Sequence, residues 1–242
     1  MNEPLKKHST PACAQLFAEP NPEGERCVVV MGVARGGTSM AAGLMRLMGV
    51  EMGERLGEGN NEDLDFTEAR EPLARLMDPA HPEHAAAVEA LRDLVRTRRG
   101  ESGLWGWKDP LSFAYLPLIA DMLPNLHIIA IFKDAFSIAA RQATDTEGDA
   151  AAALSRAVRE YQMLWNVLEQ LKRPTLAVSY DKSLRRPGQV IVGAGKLIGR
   201  PVSADELNLW SRYFRPEAGG GDIDRYQPGG EAWLRVMSPE AD

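Results

Sequence analysis

The chain has 242 residues, 44% hydrophobic and 26% charged, with 28 basic against 34 acidic side chains and a formal net charge of −6. That composition suits a single α/β core, carries no polycationic footprint for nucleic acid, and contains no apolar run near the roughly 20 residues a membrane span needs. The two cysteines, Cys13 and Cys27, cannot build a disulfide framework or a zinc site, and no signal-peptide stretch opens the chain, so a cytoplasmic protein with no membrane partner is expected.

Residues 1–25 are polar and punctuated by Pro4, Pro11 and Pro20, and read as a flexible leader; 26–242 read as one domain. Cys27 to Gly32, CVVVMG, is short, β-branched and uninterrupted, which predicts a fully buried strand. From Thr38 the period changes. Met40, Leu44, Leu47 and Met48 form a helical stripe closed by Gly49. Glu51 to Arg70 is acidic and glycine-rich and predicts a long functional loop. Pro82 opens a helix through Val88, Leu91 and Val95 toward Arg98 and Arg99, with Gly100 as its stop.

Trp105–Lys108 predicts a short strand, 112–123 a helix, and His127–Phe132 a second buried strand followed by Asp134 as a helix cap. The longest helix is expected between Asp149 and Lys172, with Leu154, Val158, Tyr161, Trp165 and Leu168 as its buried face and Pro174 as its end. Thr175–Ser179 is a third buried strand. Helices are expected near 188–198 and 204–213, and the glycine-rich segment beyond as irregular. Strands alternating with helices predict a parallel sheet of about four or five strands covered on both faces.

The strongest chemical signal is GVARGGTS, Gly32 to Ser39, between a buried strand and an amphipathic helix. A glycine-rich turn lets backbone N–H groups converge, and a helix N-terminus adds about half a positive charge, which suits a phosphate or sulfate group. The spacing Gly32-x4-Gly37 is that of a phosphate-binding loop, but Thr38 stands where a nucleoside triphosphatase carries lysine, and the cation sits earlier, at Arg35. The residues alone also allow a plain βα turn.

A P-loop without that lysine, with a basic residue before Gly-Gly-Thr, resembles the sulfotransferases, which use 3′-phosphoadenosine 5′-phosphosulfate (PAPS) as donor. Further segments follow in the family's order: GNNEDLDF (59–66), WGWKDP (105–110), LPNLHIIAIFKDAFSIAARQ (123–142) and SYDKSLRRPGQVIVGAGKLIG (179–199). The resemblance spans roughly residues 26–200. It implies a P-loop-type α/β fold, a soluble bacterial-type enzyme, no metal, and a carbohydrate or small-molecule acceptor whose hydroxyl or amine receives the sulfuryl group, with 3′-phosphoadenosine 5′-phosphate (PAP) as the product.

Carried over position by position, the resemblance assigns Arg35, Gly36, Gly37, Thr38 and Ser39 to the donor's phosphosulfate. It gives Glu62 the role of base, with Asp63, Asp65 and Glu68 as neighbours that could replace it. Lys108 becomes a second cation near the transferring group. The 3′-phosphate pair, usually Arg and a Ser eight residues on, is here Lys133 and Arg141. Ala135 and Leu111 stand where the family has proline and a basic residue, and Arg212, Arg215 or Arg225 could close over the nucleotide.

Blander readings stand beside these: a solvated acidic loop, and a surface lysine at 108. Arg96, Arg98 and Arg99 read as a helix C-terminus complementing its dipole or as a contact for an anionic acceptor. His81 and His84 read as surface residues, and the Trp165 stripe as core. Two rival functions remain open from sequence: a P-loop small-molecule kinase using Asp134 for magnesium, and a non-catalytic nucleotide-binding member of the family.

Overall fold

The computed structural model describes residues 10–75, 81–99, 103–146 and 149–214. In chain order the elements are β1 (Cys13–Leu16), β2 (Arg26–Met31), α1 (Thr38–Leu47), α2 (Leu64–Arg75), α3 (Pro82–Arg99) and β3 (Leu104–Lys108). Then come α4 (Leu116–Ile119), β4 (Leu126–Phe132), α5 (Ala135–Thr146), α6 (Ala150–Leu171), β5 (Thr175–Ser179), α7 (Tyr180–Arg185), α8 (Pro187–Leu197) and α9 (Ala204–Tyr213). The five strands form one sheet in the order β1-β5-β4-β2-β3, with β3, β2, β4 and β5 parallel and β1 antiparallel at the edge.

Strand alternation divides the core into two layers. Val28, Val30, Ile129, Ile131, Leu176 and Val178 face α1, α8 and α9, packing on Met40, Leu44, Ile191 and Trp210. Cys27, Val29, Met31, Ile128 and Ala130 face the other way, against Leu91 and Val95 of α3, Leu164 and Leu168 of α6, and the indoles of Trp105 and Trp107. Both faces are therefore covered, which is why the central strands read as unbroken apolar runs.

The structure corrects several expectations. The leader expected over 1–25 contains β1, whose partner β5 lies some 160 residues away, too far for any local pattern to reveal. That strand also makes the sheet mixed rather than wholly parallel.

The loop expected over 51–70 ends at Asp63, where α2 begins. Asp63 Oδ1 accepts the backbone N–H groups of Asp65 and Phe66, a helix cap hidden in the acidic run. Phe66, Ala69 and Leu73 are the apolar stripe of that helix, diluted by charges and by Pro72.

The helix expected over 112–123 is broken into 3-10 turns at Ser112–Ala114 and Ala120–Met122 around the four-residue α4. Helix α6 buries Ala153, Ala157, Leu164 and Leu168, whereas Val158 and Trp165 are exposed and Trp165 meets Phe17 with ring centroids 6.1 Å apart. The true stripe lies roughly 70° round the helix from the expected one, sharing Leu168 with it, because two of its members are alanines that allow close approach of α5. Helix α7 was not foreseen; it fills the turn between β5 and α8.

Candidate active site

All four parallel strands end on one edge of the sheet. Strand β2 leads toward β3 on one side, and β4 leads toward β5 on the other, so β2 and β4 flank the point where the connections diverge. In open α/β sheets ligands bind in the crevice at such a point. A cleft of about 950 Å³ opens there. Among its lining residues are Arg35, Gly37, Thr38, Ser39, Glu62, Lys108, Lys133 and Arg141. Of the residues that the sequence reading singled out for catalysis or donor binding, these line the cleft; Gly36 sits within the turn itself.

Residues 32–37 form a tight turn between β2 and α1. Gly36 N–H donates to the carbonyl of Val33 at 2.8 Å, and Gly32 N–H to that of Pro110 at 3.1 Å. A Cβ at Gly36 would come within 2.6 Å of the Val33 oxygen, and one at Gly37, whose φ is 89°, would collide with the Tyr180 ring. Gly36 is therefore required by close approach, and Gly37 both by close approach and by its positive φ. Arg35 itself has φ 66°, left-handed for a non-glycine residue, and its side chain is exposed at the cleft. Such conformations cost energy and cluster at functional sites. Val33 packs with Ile138 and Ala157 under the turn, so α5 and α6 support it from below.

The acidic segment forms the opposite wall. Asp63 N–H donates to the Lys108 carbonyl at 2.9 Å, which fixes the segment against the end of β3. Lys108 is only 1% exposed, and its Nζ donates to Glu62 Oε1 at 2.7 Å and to the Asn60 carbonyl at 3.2 Å. Burial lowers the lysine pKa below its usual value, and the adjacent Glu62 opposes that shift. The reading of Lys108 as a surface lysine is thereby overturned. Beside it, Asp109 is buried and pairs with Arg70 Nε at 2.8 Å; burial raises the carboxyl pKa while Arg70 pulls it back.

The other acidic neighbours are engaged elsewhere. Asp63 is fully buried, accepts from Arg98 Nη2 at 3.1 Å and caps α2; desolvation pushes its pKa up to about 6 against the pull of Arg98. Asp65 pairs with Arg98 and Arg55, and Glu68 with Arg55. None of the three lines the cleft, whereas Glu62 does, with Glu58 at the rim.

The basic run at the end of α3 is likewise spoken for: Arg96 pairs with Glu89 and Asp93, Arg98 with Asp63 and Asp65, and Arg99 with Glu25. None of the three is in the lining of the cleft. His81 is exposed and its Nδ1 accepts from the Glu83 backbone N–H, a local cap rather than a metal ligand.

At the end of β4, Lys133 is 9% exposed and its ammonium lies over the Tyr180 ring, 4.9 Å from the centroid. Its backbone is clamped by one side chain: the Tyr161 hydroxyl accepts from Lys133 N–H and donates to Lys133 C=O, both at 2.8 Å. Burial pushes the Tyr161 pKa up to about 12, so the phenol keeps the proton that it donates. Asp134 caps α5, its Oδ1 accepting from the backbone N–H and the hydroxyl of Ser137 at 2.8 and 2.9 Å. Arg141 follows two turns along α5, on the face that reaches the cleft.

Sequence reasoning missed Tyr180 and Tyr161 as members of this site. Tyr180 directly follows the TLAVS strand, where a residue at a parallel strand's C-terminal end was a signal in plain view. Tyr161 was read only as core. Arg212 lies at the end of α9, and Arg215 and Arg225 fall outside the described residues.

The sequence matches no family model and no curated protein. Among solved structures, the chain is similar to the sulfotransferase domain of the Synechococcus PCC 7002 olefin synthase, at 16% identity over 78% of this chain and 76% of that one, with a TM-score of 0.50. Retinol dehydratase, in a complex with androsterone and the inactive cofactor PAP, aligns at 14% identity over 78% of this chain and 64% of that one, with a TM-score of 0.48. The sulfotransferase STF1 of Mycobacterium tuberculosis H37Rv aligns at 15% identity over 91% and 77%, with a TM-score of 0.43. At such identities the likeness is one of fold. The fold of this chain is the α/β fold of the sulfotransferase domain. No helix among the described residues is long and apolar enough to cross a membrane.

Proposed function

We propose that this chain is a sulfotransferase that moves a sulfuryl group from PAPS to the hydroxyl or amine of a carbohydrate or small-molecule acceptor. One observation carries the reading: a single cleft at the end of the parallel strands holds a glycine-rich turn, the cations Arg35, Lys133 and Arg141, and a carboxylate, Glu62, paired to a buried lysine. The fold shared with a sulfotransferase domain supports it.

The residues fit a sulfated, phosphorylated nucleotide. The cleft's volume lies in the range of small-molecule sites, and Gly37, Thr38 and Ser39 at the start of α1 line it, so a helix N-terminus faces the site, as suits an anionic group. When bound, PAPS supplies a sulfuryl group on a phosphosulfate anhydride, with PAP as the leaving group. The turn N–H groups and Arg35 stabilise charge developing on the transferring oxygens, where one well-aimed donor is typically worth about 10²–10³ in rate. Lys133 and Arg141 hold the 3′-phosphate. Glu62, oriented by Lys108, takes the proton of the attacking acceptor group.

No observation favours the kinase reading: Asp134, its one candidate for magnesium, is spent on capping α5. The test is PAP formation from PAPS by the purified chain against a panel of hydroxyl and amine acceptors, without added metal, followed by mass spectrometry. Acceptor-dependent PAP release that disappears in Glu62→Gln supports the proposal. PAP binding without turnover on any acceptor supports a non-catalytic nucleotide binder, and turnover of ATP–Mg²⁺ instead of PAPS supports the kinase.

A further inference from the structure

The segment 51–63 contains no helix or strand, yet Glu62 must be held to a fraction of an ångström if it is to act. Asn61 extends its side chain from that segment to α1, whose first turn lines another part of the cleft. It is 4% exposed, and its carboxamide lies along α1. Oδ1 accepts from Arg46 Nη1 at 2.7 Å near the end of that helix, and Nδ2 approaches the Ser39 carbonyl at 3.4 Å in its first turn. Ser39 and Arg46 are seven residues apart, so they lie on one face of α1. Ser39 itself lines the cleft beside the glycine-rich turn.

The residues either side of Asn61 serve the same end. The Asn60 carbonyl accepts from Lys108 Nζ, and Asn60 Oδ1 accepts from the Glu62 N–H at 2.8 Å. Asn61 has φ 55°, a left-handed conformation that asparagine tolerates better than most side chains. This turn projects the side chains of 61 and 62 to different partners: 61 to α1, and 62 to Lys108 and the cleft.

We propose that Asn61 is a positioning residue for Glu62, gripping α1 so that the turn carrying the carboxylate keeps a fixed place relative to the anion-binding turn from which α1 starts. The proposal rests on the reading of Glu62 as the base for sulfuryl transfer. Asn61 touches neither donor nor acceptor; it acts through the geometry of the turn. A misplacement of about 1 Å at a reacting group can cost on the order of 10²-fold in rate.

The experiment uses the full chain and four variants: Asn61→Gly, Asn61→Asp, Glu62→Gln and the double variant Asn61→Gly/Glu62→Gln. Asn61→Gly accepts the positive φ without strain but deletes the grip. Asn61→Asp keeps the acceptor for Arg46 and loses the donor to Ser39. Expected are a kcat for Asn61→Gly reduced about 10- to 100-fold, PAP affinity within about twofold of wild type, and recovery of most of the rate in Asn61→Asp. The double variant Asn61→Gly/Glu62→Gln should turn over no more slowly than Glu62→Gln alone, and its melting-temperature loss should be less than the sum of the two single losses.

Full activity in Asn61→Gly overturns the proposal, because the asparagine would then serve only its own backbone. Equal losses in PAP affinity and kcat also overturn it, by making the residue a support for the anion-binding turn. Additive melting losses overturn it whether or not the chain transfers a sulfuryl group. A wild-type chain that transfers nothing, with melting losses that are still less than additive, overturns the sulfotransferase reading and leaves the coupling of Asn61 to Glu62 standing.

Discussion

Lys108 Nζ and Glu62 Oε1 lie 2.7 Å apart, with the lysine side chain buried and the glutamate side chain 28% exposed at the cleft wall. A buried ammonium is tolerated only when paired, so Lys108 draws one carboxylate out of an acidic segment and toward the site. Its neighbours Asp63, Asp65 and Glu68 are drawn the other way by Arg98 and Arg55. Two sets of cations thus sort four neighbouring acids into one facing the cleft and three that hold the structure.

That sorting predicts the outcome of neutralising each acid. Glu62→Gln keeps size and a hydrogen-bond acceptor for Lys108 but removes basicity. Turnover on a hydroxyl acceptor should fall by about 10²–10⁴, with PAP affinity nearly unchanged by calorimetry. Asp65→Asn and Glu68→Gln should leave turnover within a few-fold of wild type and shift only the melting temperature. If one of these is inactive while Glu62→Gln works, the base is misassigned.

Arg35 offers a cleaner test of the turn. Its side chain is exposed, so truncation opens no cavity, and exposed substitutions usually change stability by less than about 0.5 kcal/mol. Arg35→Ala should therefore melt like wild type and lose about 10²–10³ in kcat. A variant retaining more than half of the turnover would remove the turn from the catalytic centre.

The central strands and the glycine-rich turn were legible because their signals are local: CVVVMG and HIIAIF are unbroken apolar runs, and GVARGGTS joins one of them to a 3.6-period stripe. What was not legible depends on partners distant in sequence. β1 is defined by β5, the stripe of α6 by alanines that matter only once α5 is beside them, and Asn61 by an arginine on α1. The acidic run read as a loop because charge counts conceal a cap: Asp63 has the same composition signal whether solvated or buried against Arg98. Glu62 could be named by its likeness to a family's glutamate, but its separation from its neighbours is a property of the fold.

The proposed donor site is where this chain departs furthest from the residues of the family it resembles. Lys133 at the end of β4 and Arg141 on α5 both reach the cleft, with the Lys133 backbone clamped by Tyr161. PAP should therefore bind better than AMP, which lacks the 3′-phosphate. A ligand at about 100 times its Kd adds roughly 2.7 kcal/mol, a melting shift of about 5–11 °C for a domain of this size. Lys133→Ala/Arg141→Ala should bring the PAP shift down to that of AMP, and Tyr161→Phe should reduce it in part. Equal shifts for PAP and AMP with the wild-type chain reject the 3′-phosphate site.

Stability against pH carries a last prediction, in which two buried groups oppose each other. His127, on β4 at the end of the sheet away from the cleft, is fully buried, and neither ring nitrogen has a hydrogen-bond partner among the described residues. Desolvation, with Arg26 adding repulsion, lowers its pKa from 6.5 to about 4. Between those values the unfolded chain binds a proton that the folded chain refuses, so this group contributes stability above pH 6.5 that is lost on acidification, about 3 kcal/mol in all. Asp63 has the reverse sign. Its folded pKa of about 6 exceeds the usual 3.8, so the folded chain binds the extra proton and acidification from pH 6 toward 4 favours folding. The two slopes offset each other in the wild type across that window. Removing His127 by His127→Leu should make the melting temperature rise more, or fall less, than wild type as pH drops from 6 to 4. Asp63→Asn should make it fall more steeply, quite apart from the overall cost of losing the α2 cap. Melting curves at four or five pH values for the three chains decide the matter: parallel profiles would mean that neither group titrates differently in the folded and unfolded states.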